Sequence, residues 1–439
     1  MAVPEHAIEK KARLANSHLV MAAFLSATIA SLFAAPKDAS IVDLWGQLRV
    51  EGNRIVNKEG RPVTLRGMSL YWSQWKGKYY NADCIKWLRD DWKCTVVRAA
   101  MAVENGGYLT NPAAEESKIT TVVQECIDLG MYVIIDWHDH NAHLHQNAAA
   151  AFFKKMAQLY GEFPNVIYEI YNEPEQVSWG SVVKPYSEAV IGEIRAVDPD
   201  NVIIMGTPSW CQDVHLAAAD PIKGSNLAYG LHYYAASHKQ WLRDRAAAAL
   251  NKGIALFASE FGTCEYTGSG VLDYVETGKW FDFMEANAVS WCNWSIADLT
   301  ETSAALKPNA SSTGNWAASD LSDSGKLVRE KIIALNLPIL TTVGIAGKNT
   351  SEPEFILARN YPNPFNSGTT IEFALAAPQW VKIHVVDVLG RNVAVLADRP
   401  LNPGLHRVLF NPKYLPSGTY IYSIQTEEAS LTGRMQLAK

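Results

Sequence analysis

Charge is scarce in this sequence, and its basic residues form no cluster. Charged residues make up 19% of the 439 positions and the formal net charge is -6. The concentrated lysine and arginine surface that a phosphate backbone needs is missing, which excludes nucleic acid as a partner. Cysteine is also sparse. Cys84, Cys94, Cys126, Cys211, Cys264 and Cys292 are scattered, without a Cys-x-x-Cys pair or a dense framework. Metal binding through them is therefore not expected, and any disulfide would be incidental to the fold. Long apolar runs are missing except near the N-terminus, where Lys10, Lys11 and Arg13 precede a run from Leu19 to Ala35, followed by Pro36 and Lys37. That order is the order of a signal peptide over residues 1–35. A membrane anchor competes, because the run is nearly long enough to span and a cleavage site near Ala34 lacks a small residue two positions upstream.

What is present is material for a core. Hydrophobic residues make up 48% of the chain, a globular balance, and the length exceeds one hydrophobic core, so one large and one smaller domain are expected. Eight short apolar or β-branched runs alternate with longer amphipathic stretches: Val63 to Ser69, Thr95 to Met101, Tyr132 to His138, Val166 to Glu173, Val202 to Thr207, Leu227 to Tyr234, Ala255 to Gly262 and Val289 to Trp294. Nearly continuous apolar runs suit parallel strands buried on both faces, whereas Ile119 to Gly130 has helical periodicity. Eight such units predict a (β/α)8 TIM barrel over 41–336. Before them, Arg54 to Val56 and Pro62 to Leu65 around Lys58-Glu59-Gly60 are expected to form a hairpin that plugs the barrel bottom. Residues 337–354 read as a linker. Over 355–439, five strand-like runs separated by Pro and Gly turns (Thr370 to Leu375, Lys382 to Val388, His406 to Phe410, Thr419 to Gln425, Gly433 to Leu437) predict a small all-β sandwich.

In such a barrel the chemistry sits at the C-terminal strand ends. Arg98, Asp136-Trp137-His138, Asn172-Glu173-Pro174, His232-Tyr233-Tyr234, Glu260 and Asn293-Trp294 all fall there. One buried polar residue is ordinary, but six strands contributing them is not. Glu173 and Glu260 would face each other across the mouth, the arrangement in which paired carboxylates act as acid and nucleophile on a glycosidic bond. Their separation decides between retention and inversion, and the residues alone leave that open.

Leu65-Arg66-Gly67-Met68-Ser69, Val97-Arg98-Ala99-Ala100-Met101, Ile135-Asp136-Trp137-His138, Ile167 to Pro174 and Ser259-Glu260-Phe261-Gly262 resemble glycoside hydrolase family 5, over about Gln47 to Leu335. Trp210 to Val214, Leu231 to Tyr234 and Trp291 to Ser295 are similar to its bacterial endoglucanase branch. The resemblance implies an endo-β-1,4-glucanase with retention, Glu173 as acid/base and Glu260 as nucleophile. Burial is expected to raise the pKa of Glu173, and Arg98 and Tyr234 to keep Glu260 ionised. Asn172 is expected on the sugar 2-hydroxyl, and His138 and His232 on substrate hydroxyls and the acid/base, without metal or other cofactor. Trp294 is expected under the sugar at the cut, Trp210 on the leaving-group side and Trp75 on the non-reducing side, where the nearby Trp72 could take the platform role instead, with a cis peptide between Trp294 and Ser295. Ala102 and Leu299 stand where relatives often carry an aromatic residue and a substrate-binding lysine.

Asn360 to Asn366, Val386 to Arg391 and Leu415 to Tyr422 resemble the sorting domains of the type IX secretion system. That implies the secretion machinery as a partner and an enzyme released from, or held on, a Gram-negative cell; a monomer acting on a β-1,4-linked polysaccharide, as the hydrolase resemblance implies, is expected. A carbohydrate-binding sandwich competes, but Trp380 is the only tryptophan there to grip a sugar. A mannanase, a mixed-linkage glucanase and a non-catalytic polysaccharide-binding protein are the other functional readings; the last would be expected to have lost one of the two glutamates.

Overall fold

The computed structural model describes residues 40–342, 355–375, 378–426 and 430–439. The expected signal peptide lies outside them, as does most of the expected linker. Among the described residues no helix is long and apolar enough to cross a membrane.

A short hairpin, β1 (Arg49–Glu51) with β2 (Arg54–Val56), precedes eight parallel strands: β3 (Arg66–Leu70), β4 (Val96–Ala102), β5 (Tyr132–His138), β6 (Val166–Glu169), β7 (Ile203–Met205), β8 (Leu227–Tyr234), β9 (Ala255–Gly262) and β10 (Ser290–Ile296). They pair in chain order, and β10 closes on β3 to complete a barrel. Closure needs close strand approach at Gly67, where a Cβ would lie 1.7 Å from the Val96 carbonyl oxygen.

Period-two alternation explains the layers. In β4, Val97, Ala99 and Met101 join the outer core beneath the helices, while Val96 faces the bottom of the interior with Ile134, Ile167, Ile204, Phe257 and Cys292. The next inward positions up the strands are polar: Arg98 on β4, Asp136 on β5 and Glu169 on β6, all buried. The sequence thus builds an apolar floor and a charged upper layer. The helix Ile41–Trp45, Leu48, Ile55 and Val63 close the floor from below.

The expected hairpin is corrected in its pairing. The two-stranded sheet joins Arg49 to Val56 and Glu51 to Arg54, turning at Gly52 (φ 60°), whereas Val56 and Pro62 form only an isolated bridge. Gly52-Asn53 supplies a two-residue turn, and Pro62 has no N–H to extend a ladder. The start of the linker is also corrected. The last barrel helix runs over Asp323–Thr342, because Leu337 and Leu340 are buried, Leu340 in the barrel floor, and Asn336 anchors the helix by donating to the carbonyls of Arg66 and Lys93.

Among the described residues the C-terminal domain has seven strands where five were expected: β11 (Phe355–Tyr361), β12 (Thr369–Leu375), β13 (Gln379–Asp387), β14 (Asn392–Leu401), β15 (Gly404–Phe410), β16 (Gly418–Gln425) and β17 (Ser430–Leu437). They form antiparallel sheets β11-β12-β15 and β14-β13-β16-β17. Both sheets feed one core, with Ile371 and Phe373 meeting Ile383, Val385, Tyr422 and Ile424, which makes the unit a sandwich.

Candidate active site

Arg98 organises the barrel mouth from a fully buried position. Its Nε donates to Glu169 at 2.7 Å, Nη1 to Glu260 at 3.0 Å and Nη2 to the Asn172 amide oxygen at 2.6 Å, with Asp136 also 3.0 Å from Nη2. One guanidinium therefore ties together β4, β5, β6 and β9. Because Arg98 holds the Asn172 oxygen, the amide nitrogen of Asn172 is the free end, buried and without a partner.

Glu260 reaches this layer through a β-bulge. Phe257 pairs with Gly230 and Glu260 with His232, so β9 spends three steps where β8 spends two; against β10 the same surplus appears between Ala258 and Phe261. The extra residue turns both Ser259 and Glu260 inward, which simple alternation would not allow. The Ser259 hydroxyl bonds Glu169 at 2.5 Å and meets His232 Nε2 at 2.9 Å. Glu260 receives the Tyr234 hydroxyl at 3.0 Å. His232 Nδ1 lies 2.9 Å from Glu173 Oε1, and His140 Nδ1 is 3.6 Å from Glu173 Oε2.

Oxygens of Glu173 and Glu260 approach within 4.8 Å of each other. Four carboxylates crowd this volume, and protons redistribute accordingly. Burial pushes Asp136 well above the ordinary carboxylate range. Burial also acts against charge on Glu169, but Arg98 and His232 outweigh it and bring that group to about 2. Burial opposes charge on His232 as well, yet the neighbouring Glu169, Glu173 and Glu260 raise it to about 9. His138, 2.7 Å from Asp136, is lowered by burial and by Arg98.

One electrostatic expectation, a raised Glu173, is corrected. Burial acts to raise Glu173, but its bond to His232 and the charges of His232 and His140 prevail and lower it. Glu260 is raised, because burial and the charge of Glu173 exceed the opposing effects of His232, Arg98 and Tyr234.

Two cavities meet at the glutamates. One of about 180 Å³ is walled by Tyr71, Trp72, His138, Trp294 and Glu301. The other, about 400 Å³, is walled by Trp210, Gln212, His232 and His238. Glu173, Glu260, His140, Tyr234 and Tyr266 line both. Trp294 stacks on His138 with ring centres 5.1 Å apart, and its peptide to Ser295 is cis. Trp210 is 37% exposed on a turn in which Ser209, Trp210 and Cys211 all have positive φ. Trp75 lines neither cavity; it lies outside them, against Trp72 and Tyr71 at 5.2 and 6.5 Å.

Trp72, the alternative to Trp75 as a sugar platform, does line the first cavity, whereas Glu169, Ser259, Tyr71, His140, Tyr266 and Glu301 were not expected at the site. Glu169 carried a signal, a lone acid in an apolar strand; the loop residues carried none, because loops have no period to break.

Residues 56–299 match the profile described as cellulase (glycosyl hydrolase family 5). The chain belongs to glycosyl hydrolase family 5. An endoglucanase of Clostridium saccharobutylicum is 43% identical over 324 residues, covering 73% of this chain and 70% of that protein. Endoglucanase Z of Dickeya dadantii is 49% identical over 266 residues, covering 60% and 62%. The chain thus spans roughly two thirds of these relatives. A solved structure from Cytophaga hutchinsonii superposes with a TM-score of 0.69 at 53% identity, covering 69% of this chain and 99% of that one. The catalytic domain of Thermobifida fusca endoglucanase Cel5A (E5) gives 0.65 at 35%, covering 67% and 99%. As a member of the family, the chain is a glycoside hydrolase. Residues 359–437 match a secretion system C-terminal sorting domain, so the sandwich is an export module of the type IX kind.

Proposed function

We propose that this family 5 hydrolase is an endo-β-1,4-glucanase that cuts cellulose or a related β-glucan with retention, using Glu260 as nucleophile and Glu173 as acid/base. The observation that carries the proposal is the approach of the two carboxylates within 4.8 Å. Retaining glycosidases hold the pair about 5 to 5.5 Å apart, whereas inverting ones leave roughly 6.5 to 9.5 Å for a water molecule.

Glu260 attacks the anomeric carbon with an oxygen aimed by Arg98 and Tyr234, forming a glycosyl ester as the bond to the leaving oxygen breaks. The leaving oxygen takes a proton from the Glu173–His232 pair. Glu173 is the member that delivers it, since 13% of its side chain is exposed against 2% for His232. Glu260 loses its charge in the ester, and Glu173, now deprotonated, draws a proton from the water that hydrolyses it. Asn172 offers its unpartnered amide to the 2-hydroxyl, Trp294 and Trp210 offer ring faces on either side of the cut, and Trp75 serves a more distant sugar. His138 contributes a neutral imidazole to substrate hydroxyls. The protein acts as a monomer, exported by its sorting domain and released from or retained on a Gram-negative cell.

Reducing-sugar release from carboxymethyl cellulose, mixed-linkage β-glucan, glucomannan and xylan, measured side by side, tests the substrate. Fastest release from carboxymethyl cellulose or β-glucan is expected. Fastest release from glucomannan would make the enzyme a mannanase.

A further inference from the structure

Tyr266 is 70% exposed, yet it lines both cavities together with Glu173 and Glu260. Its loop is fastened on two sides. Its own N–H donates to Ser237 Oγ at 3.0 Å, and Ala236 N–H donates to the Cys264 carbonyl at 3.0 Å, which ties the loop to the end of β8. The N–H of Ser303 donates to the Gly268 carbonyl at 2.9 Å and the Thr302 hydroxyl to that of Gly270 at 2.8 Å, which ties it to the segment after β10. Gly268 and Gly270 take positive φ of 78° and 79°, turns that a β-carbon would strain. A held loop that leaves an aromatic ring in water gains no packing from that ring.

We infer that Tyr266 is a binding residue common to the two sugars that flank the scissile bond, an aromatic wall against which both the glycosyl unit on Glu260 and the departing or incoming sugar rest. The inference rests on the glycanase reading above. A phenol face suits the C–H surface of a pyranose. Because the ring borders both cavities, it acts when both are filled, in the first displacement and in attack by a sugar acceptor on the glycosyl-enzyme. In that attack the acceptor hydroxyl replaces water: its oxygen bonds the anomeric carbon, its proton passes to Glu173, and Glu260 leaves as carboxylate. Tyr266 thereby sets how the intermediate divides between sugar and water.

The test uses the full chain with cellotetraose and follows hydrolysis and transglycosylation products for wild type, Tyr266→Ala, Tyr266→Leu and Tyr266→Phe. Thermal unfolding checks the fold of each. The expected result for Ala and Leu is a KM raised roughly threefold to tenfold and a ratio of transglycosylation to hydrolysis lowered by a similar factor, with Phe close to wild type. Unchanged KM and ratio in Tyr266→Ala, with wild type cleaving normally, would overturn the inference and leave the proposed function standing. A Phe variant as impaired as Ala would also overturn it, since the ring face would then not be the agent. Failure of wild type to cleave cellotetraose would overturn both.

Discussion

Arg98 is the residue on which the site's electrostatics turn. It is buried among Asp136, Glu169 and Glu260, and removing one partner of a buried ionic cluster leaves uncompensated charge at a cost of about 3 to 5 kcal/mol. Arg98→Met is expected to lower stability by about that amount in urea titration and to abolish activity. A stable, active variant would mean that the carboxylates are neutralised in another way. The proton shared by His232 and Glu173 gives a second expectation. The pKa of His232 is raised to about 9, so its contribution to stability is complete below its ordinary pKa of about 6.5 and is lost as pH rises through about 9. The alkaline limb of kcat/KM should follow the same proton. His232→Gln leaves only the Glu173 carboxyl to hold it, and the limb should move down by roughly one unit or more. An unmoved limb would remove His232 from proton storage. At low pH, protonation of Glu260 is expected to end activity, and because burial and the charge of Glu173 raise that carboxyl, the acid limb of kcat/KM should lie above the ordinary carboxylate value of 4.5; a limb below it would separate the limb from Glu260.

At the scale of elements, the strands differ in how far the sequence disclosed them. β5, β8 and β9 match their expected bounds residue for residue because their apolar runs stay nearly continuous up to the polar residues near their C-terminal ends. β6 ends at Glu169, not Glu173, although Ile170 N–H and Asn172 N–H still donate to the Ile204 and Trp137 carbonyls at 3.0 and 3.2 Å as the chain carries Asn172 and Glu173 onto the mouth. The helix expected from Ile119 begins at Pro112, since its first turns are mostly exposed and show no apolar stripe. β14 was not expected, because its Asp398, Arg399 and Pro400 fit a sheet edge and break the alternation. The β9 bulge was not legible either, because register is a relation between strands. Close strand packing gives a direct test. With a Cβ meeting the Val96 carbonyl oxygen at 1.7 Å, Gly67→Ala must shift backbone, and a loss of about 1 to 3 kcal/mol or more is expected in denaturant melts. An unaffected midpoint would show that β3 and β4 can separate. Trp210 stands apart from the strands: it is on the left-handed turn whose N–H groups donate to the Pro174 and Glu175 carbonyls at 2.9 Å. Trp210→Ala should fold and melt as wild type yet bind cellulose-derived substrates several-fold more weakly, with about 1 kcal/mol of stacking lost. A collapse of melting temperature would assign the ring to packing.

Across the whole molecule, the barrel and the sandwich each have a core of their own. A chain ending at Thr342 is expected to keep the wild-type kcat and KM on soluble β-glucan. One ending at Leu337 loses Leu340 from the barrel floor, and melting several degrees lower is expected, as for a domain of 150 to 250 residues losing about 1 to 2 kcal/mol. Equal melting of the two would return those residues to the linker. The ring of strand-end residues was legible because burial of polar groups at six strand ends has no cheap structural explanation. Of the aromatic walls from loops, Trp72 was legible as an alternative to Trp75, but half-buried Tyr71 and exposed Tyr266 were not, since a lone loop aromatic is unremarkable until two cavities meet beside it. The central claim is that Glu173 and Glu260 stand close enough for a covalent double displacement. Proton NMR of the first products from a cello-oligosaccharide, recorded before mutarotation, tests it most directly. The β-anomer appearing first is the predicted result, and the α-anomer appearing first would contradict the account.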